Sequence, residues 1–125
     1  MPNTFPKNSK LCGQLRIARL YKEGKRFVAW PLRVTYMQVQ PAMANGQQLI
    51  ANSQILVWAP KSLFKHAVDR NHLRRLMREA YRKNQHLLGE QHYQIAFNYM
   101  DKEIQSYQTI EKAICKALKK VKNEN

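Results

Sequence analysis

The stretch Lys61–Lys83 reads K-S-L-F-K-H-A-V-D-R-N-H-L-R-R-L-M-R-E-A-Y-R-K. Placed on a helix at about 100° per residue, Arg70, Asn71, Arg74, Arg75, Arg78 and Arg82 share an arc of roughly 140°. Leu73, Leu76, Met77 and Ala80 occupy the opposing arc, with Tyr81 at the border beside Arg70 and with His72 and Glu79 between the two arcs on the other side. One face is made to bury and the other carries guanidinium groups. A flat guanidinium donates in pairs and loses its water at low cost, which suits it to phosphate. Solvated basic helices usually interleave Glu with Lys at i,i+4 spacing. Here Glu79 is the only acid after Asp69 in the stretch. The like charges therefore repel unless a polyanion sits among them.

Working outward, the segment before this helix, Gln54–Ala59, is an apolar run that suggests a strand buried on both faces, ended by Pro60. After the helix, Leu88-Gly89 marks a break. Tyr93, Ile95, Phe97 and Tyr99 then alternate with Gln94, Ala96 and Asn98 as another strand. A strand, a helix of this length and a second strand fit a βαβ crossover between parallel neighbours. Further upstream, Leu32, Val34 and Tyr36 alternate with Arg33, Thr35 and Met37, and Lys25–Ala29 reads as a shorter strand before them. Leu11–Lys22 reads as an amphipathic helix closed by Gly24. Residues 40–53 hold a proline and the pair Asn45-Gly46, which predicts a long hairpin connection. Tyr107, Ile110, Ile114, Ala117, Leu118 and Val121 recur at helical spacing and predict a terminal helix with a lysine-rich outer face. The expected fold is a single-domain α+β sandwich of order α-β-β-β-α-β-α over residues 1–125, with flexible tails at 1–9 and 122–125.

The chain has 22 Lys+Arg against 8 Asp+Glu, a net charge of +14, with an ordinary 44% of hydrophobic residues. Such an excess on a small domain points to RNA, DNA or acidic lipid as partner. Lipid is the weakest of the three, because the longest apolar run, Ile55–Pro60, is far too short to span a membrane. The opening M-P-N-T-F-P-K-N-S-K lacks the apolar core of a secretion signal, so a cytoplasmic protein is expected. Cys12 and Cys115 lie far apart and are expected to be reduced thiols. The acids are scattered, and the four histidines show no zinc spacing with the cysteines. No phosphate-binding loop or nucleophile elbow is present. The reading is an RNA-binding surface with no catalytic residue and no metal ligand of its own. Tyr21, Tyr36, Trp58 and Phe64 are candidate stacking faces for bases, with Trp58 expected in the core and Tyr36 at a cleft edge.

At A-V-D-R-N-H-L-R-R-L-M-R-E-A-Y-R, residues 67–82, the chain resembles the protein component of bacterial ribonuclease P. That family is marked by an A-V-x-R-N-R-x-K-R-x-x-R-E-x-[FY]-R helix. The flanking pieces, L-Y-K-E-G-K-R, Val34 with Tyr36, and Pro60-Lys61, fall in the family's order, and the likeness covers about residues 10–120. His72 stands where the signature has Arg, and residues 40–53 are longer than the family suggests. The resemblance implies a fold like ribosomal protein S5 domain 2. It implies binding to the ribonuclease P RNA subunit and to the 5′ leader of precursor tRNA, with hydrolysis carried out by the RNA and its Mg²⁺. The residues it implies for RNA contact are Lys61, Arg70, Asn71, Arg74, Arg75, Arg78 and Arg82. For the leader cleft they are Ile17, Tyr21, Val34 and Tyr36. No membrane or small-molecule substrate is implied. The alternative is a ribosomal- or chaperone-type RNA-binding protein without an attached activity. A DNA recognition helix is disfavoured, because a strand stands where a preceding helix would be needed.

Overall fold

The computed structural model describes residues 14–38, 43–44, 47–48, 53–88 and 92–123. Helix α1 spans Gln14–Glu23, strand β1 Lys25–Ala29 and β2 Leu32–Gln38. The two-residue strands β3 (Met43–Ala44) and β4 (Gln47–Gln48) follow, then β5 (Gln54–Trp58), helix α2 (Ala67–Asn84), β6 (Tyr93–Tyr99) and α3 (Tyr107–Asn123). A 3-10 turn at Gln85–Leu88 extends α2. This is the expected order, with a small hairpin added. That hairpin pairs Met43 with Gln48 and Ala44 with Gln47. The expected Asn45-Gly46 turn lies outside the described residues, as do the tail 1–9, Leu11–Gly13 and residues 124–125; Lys122 and Asn123 are the end of α3.

The main sheet runs β1-β2-β6-β5. β1 and β2, and β2 and β6, are antiparallel, whereas β5 and β6 are parallel, so α2 is the crossover that the sequence pattern called for. Helices α2 and α3 pack together on one face of the sheet, α2 against β5 and α3 against β1 and β2. Between helices and sheet lies the core: Leu32, Val34, Tyr36, Ile55, Val57, Ile95, Phe97 and Tyr99 from the strands, and Leu73, Met77, Ile110, Ile114 and Leu118 from the helices. Period-2 alternation puts every second strand residue on this face. The residues between them face α1, where Leu20 and Ala96 are buried together beside Ile17, Tyr21, Met37 and Leu56.

Local chemistry explains the ends. Ser106 Oγ accepts from the Thr109 backbone N at 3.3 Å and caps α3. Asp69 and the backbone at His66 open α2, where the Asp69 and Arg70 amides donate to the His66 carbonyl. Asp101 and Glu103 belong to the loop before α3: Asp101 accepts from the Gln105 side chain at 2.6 Å, and the Glu103 carbonyl accepts from Tyr99 Oη at 2.6 Å. Gly24 closes α1 by donating its amide to the Leu20 carbonyl at 2.8 Å. A Cβ at this position would stand 2.5 Å from the Leu20 carbonyl oxygen and 2.9 Å from that of Tyr36. Both are backbone atoms and neither can swing aside. Gly24 is thus the point where α1 is allowed to sit down on β2.

Candidate nucleic-acid interface

Among the described residues, the sheet face toward α1 is only partly covered. Ile17 and Tyr21 from α1, Leu56 and Trp58 from β5, and Asn98 from β6 line a shallow apolar cleft of about 450 Å³. Its floor follows from sheet register, because Leu56 stands beside Ala96 and Trp58 beside Asn98. Tyr21 Oη and the Asn98 side-chain amide bond reciprocally, with Asn98 Nδ2 donating to Oη at 3.0 Å and Oη donating to Oδ1 at 3.2 Å. That pair fixes the tyrosine ring as a wall of the cleft. Arg33 is cross-strand neighbour to Asn98 and exposed, so it adds charge to the same row.

A second hollow, of about 360 Å³, lies between β5 and α2, lined by Ile55, Leu56, Val57, Trp58, Asn71, Arg74 and Arg78. Leu56 and Trp58 line both hollows, so the two meet over the outermost strand of the sheet. Trp58 is 48% exposed at this junction. The Arg74 guanidinium carbon stands 5.8 Å from the Trp58 ring centroid, and Arg74 Nη2 donates to Asn71 Oδ1 at 2.5 Å. Arg78 lies alongside, half-buried. Burial first, and the positive charge of Arg74 second, hold its pKa below the usual guanidinium value. A phosphate between the two would relieve both penalties. The arrangement offers an aromatic face, an amide and two positioned guanidinium groups in one groove, the combination that takes a single strand by stacking and by its backbone.

The sequence-derived site residues divide. Ile17, Tyr21, Asn71, Arg74 and Arg78 come together around this groove. Arg75 is exposed on α2, and Lys61 is exposed in the turn after Pro60, three residues beyond Trp58. Arg70 is turned back on the chain: its Nη1 donates to the Phe64 carbonyl at 2.8 Å and the Lys65 carbonyl at 3.0 Å, tying the loop to the helix. Arg82 does not join the open basic face. Glu79, one turn earlier, holds it at 2.6 Å, and the pair is part-buried toward α3.

Val34 and Tyr36 are on the wrong side of the sheet for a cleft. They are 0% and 1% exposed, packed under α2 and α3, and Tyr36 meets Phe27 edge-on at 5.7 Å. The alternation that groups them with Leu32 sends them to the core, while Arg33, Thr35 and Met37 take the α1 face. Phe64 is likewise core, against Tyr99. Trp58 is the reverse case. The run Gln54–Ala59 reads as buried on both faces, but β5 is an edge strand and its Leu56–Trp58 side looks onto the groove. Leu56 and Asn98 are groove positions that the sequence does not single out, and Trp58, a candidate stacking face expected in the core, is exposed instead. The available signal was a tryptophan in phase with Gln54, not with Ile55 and Val57.

Among the described residues, no group of three or more His, Cys, Asp or Glu side chains is placed to hold a metal ion. Cys115 is a free thiol, half-buried, its pKa pushed up chiefly by burial and secondarily by Glu111. Cys12 lies outside the described residues. No described helix is long and apolar enough to cross a membrane.

Comparison with known proteins bears on what this groove serves. The family model described as Ribonuclease P matches residues 5–122. A ribonuclease P protein component of Porphyromonas gingivalis is 38% identical, over 94% of this chain and 87% of its own length. One of Chlorobaculum tepidum is 31% identical, over 69% of this chain and 54% of its own length. Among solved structures, the RNase P protein of Staphylococcus aureus superposes with a TM-score of 0.73 at 18% identity, covering 94% of this chain and 98% of that one. The Thermotoga maritima RNase P protein does so with a TM-score of 0.70 at 21% identity, covering 89% and 96%. The structures agree in fold, and the sequence matches carry the kinship. The chain belongs to the ribonuclease P protein component family and is the protein subunit of an endoribonuclease of tRNA 5′ processing.

Proposed function

We propose that this protein docks on the ribonuclease P RNA through the outer face of α2 and guides the 5′ leader of precursor tRNA along the groove between α1 and α2. The observation that carries the reading is the junction at Trp58, where the apolar cleft and the guanidinium pair share one wall. In this reading Arg74, Arg75 and Arg78 meet phosphates, Asn71 orients Arg74, and Lys61 lies beyond the groove's end. Ile17, Tyr21, Leu56 and Trp58 offer apolar and aromatic surface to unpaired leader bases, and Arg33 and Asn98 contact its backbone. Neutralising phosphates where two RNAs approach lowers their repulsion, which raises affinity for leader-bearing substrate and for cations at the RNA. Mg²⁺ is assigned to the RNA partner, which would use it for phosphodiester hydrolysis; this chain's contribution is to bind and position. The cytoplasm is the proposed compartment.

The test is reconstitution at low Mg²⁺ with a bacterial ribonuclease P RNA and a precursor tRNA. The expected result is cleavage at the mature 5′ end only when RNA and protein are both present. RNA binding without stimulation of cleavage would favour the ribosomal- or chaperone-type alternative. Cleavage by the protein alone would overturn the division of labour.

A further inference from the structure

Helix α3 carries a second basic surface that the groove does not use. Its buried residues, Ile110, Ala113, Ile114, Ala117, Leu118 and Val121, form one face turned into the core shared with the sheet and α2. Lys112, Lys116 and Lys119 centre on the opposite side at i, i+4, i+7 spacing, a stripe about 10 Å long. Lys120 and Lys122 flank it, and all five are exposed. The only acid in α3 is Glu111, which accepts from Asn84 Nδ2 and from Tyr107 Oη, both at 3.1 Å. Among the described residues, none of the five lysines has a carboxylate partner, and Lys120 rests over the Phe27 ring at 4.7 Å. A merely solvated helix face would mix its charges. This one keeps a single sign.

Position separates the stripe from the proposed site. α3 lies toward β1 and β2, and α2 toward β5, so the two basic surfaces sit on opposite flanks of one helical layer. Chemistry separates them as well. Arg74 and Arg70 of α2 are held by Asn71, Trp58 and backbone carbonyls, whereas Lys112, Lys116 and Lys119 are compact charges on flexible stems. Such a row suits a phosphate backbone taken without regard to sequence or base orientation.

We propose that the Lys112–Lys116–Lys119 stripe of α3 is a second RNA-backbone contact, engaging a segment of the same RNA partner away from the α2 groove. The proposal rests on the ribonuclease P reading for the identity of that RNA. A protein that grips its partner on two flanks is held against rotation, which a single helix contact does not achieve.

The experiment compares two triple variants with the same change in charge. Lys112→Gln, Lys116→Gln and Lys119→Gln together remove the stripe. Lys22→Gln, Lys25→Gln and Lys102→Gln together remove three exposed lysines elsewhere. Affinity for a ribonuclease P RNA is measured across a range of salt concentrations. The expected result is a slope of log K against log salt shallower by about two to three for the stripe variant, and by less than one for the control. Equal changes in both variants would reduce the effect to net charge and overturn the proposal. An unchanged slope in the stripe variant would do the same, as would stripe-dependent binding to anionic lipid vesicles with no change on RNA. Failure here is distinguishable from failure of the functional reading. Wild-type protein that still stimulates cleavage at low Mg²⁺ while the stripe variant keeps its slope removes only the second contact.

Discussion

The two faces of the four-stranded sheet have opposite fates although they are made from the same strands. The face under α2 and α3 is filled with Val34, Tyr36, Ile55, Val57, Ile95 and Phe97, all buried. Among the described residues, the face toward α1 has one ten-residue helix over it, and that helix leaves Trp58, Arg33 and part of Leu56 and Asn98 open. Two long helices can bury a full sheet face; one short helix cannot. The uncovered remainder becomes the groove. Adjacent residues along a strand therefore belong to different problems, Val57 to stability and Trp58 to recognition.

Substitutions can sharpen or break that contrast. The largest effect is expected for Tyr36→Ala on the filled face, where a buried ring leaves a cavity costing about 3–5 kcal/mol of stability in chemical denaturation. Loss of leader affinity from Tyr36→Ala without loss of stability would return this residue to the cleft. Gly24→Ala acts at the seam between α1 and β2, forcing backbone atoms apart at a cost of about 1–3 kcal/mol. Its melting temperature should drop and its leader affinity with it, since α1 holds Ile17 and Tyr21 in place. A smaller effect, about 1 kcal/mol in assembly affinity, is expected for Arg74→Lys, which keeps the charge but loses the guanidinium bond to Asn71 and the contact over the Trp58 ring. Lys116→Arg on α3 is expected to be neutral in the same binding titration, because that surface has no geometry to satisfy. A cost at Lys116 equal to that at Arg74 would erase the distinction between the two helices.

Much of this was readable from residues alone. The 3.6-residue pattern of 70–83 and the alternation in 93–99 place α2 and β6, and the strand-helix-strand spacing gives the parallel pair. The site was half legible. Asn71, Arg74 and Arg78 follow from the helix pattern, because a helix face is set by local geometry. Family likeness puts Val34 in the cleft, and that likeness together with its hydroxyl puts Tyr36 there, both against the alternation that groups them with Leu32. Trp58 was hidden for a different reason. Whether an apolar strand is central or at the edge depends on sheet order, and sheet order is fixed by contacts between β5 and β6, about forty residues apart in sequence. Arg82 shows a further limit. Its distance from Glu79 in sequence allows an ion pair, but only the packed helix shows the pair turned toward α3.

The central claim is that recognition lies on the open face, at the junction Trp58 forms between the cleft and the α2 arginines. The most direct measurement is the affinity of the reconstituted ribonucleoprotein for precursor tRNA and for mature tRNA, with wild-type protein and with Trp58→Ala. Loss of one base-stacking contact is expected to weaken precursor binding by about five- to 100-fold, with mature tRNA binding unchanged and the variant folded as the wild type. Equal weakening for both substrates, or none for either, would contradict the account.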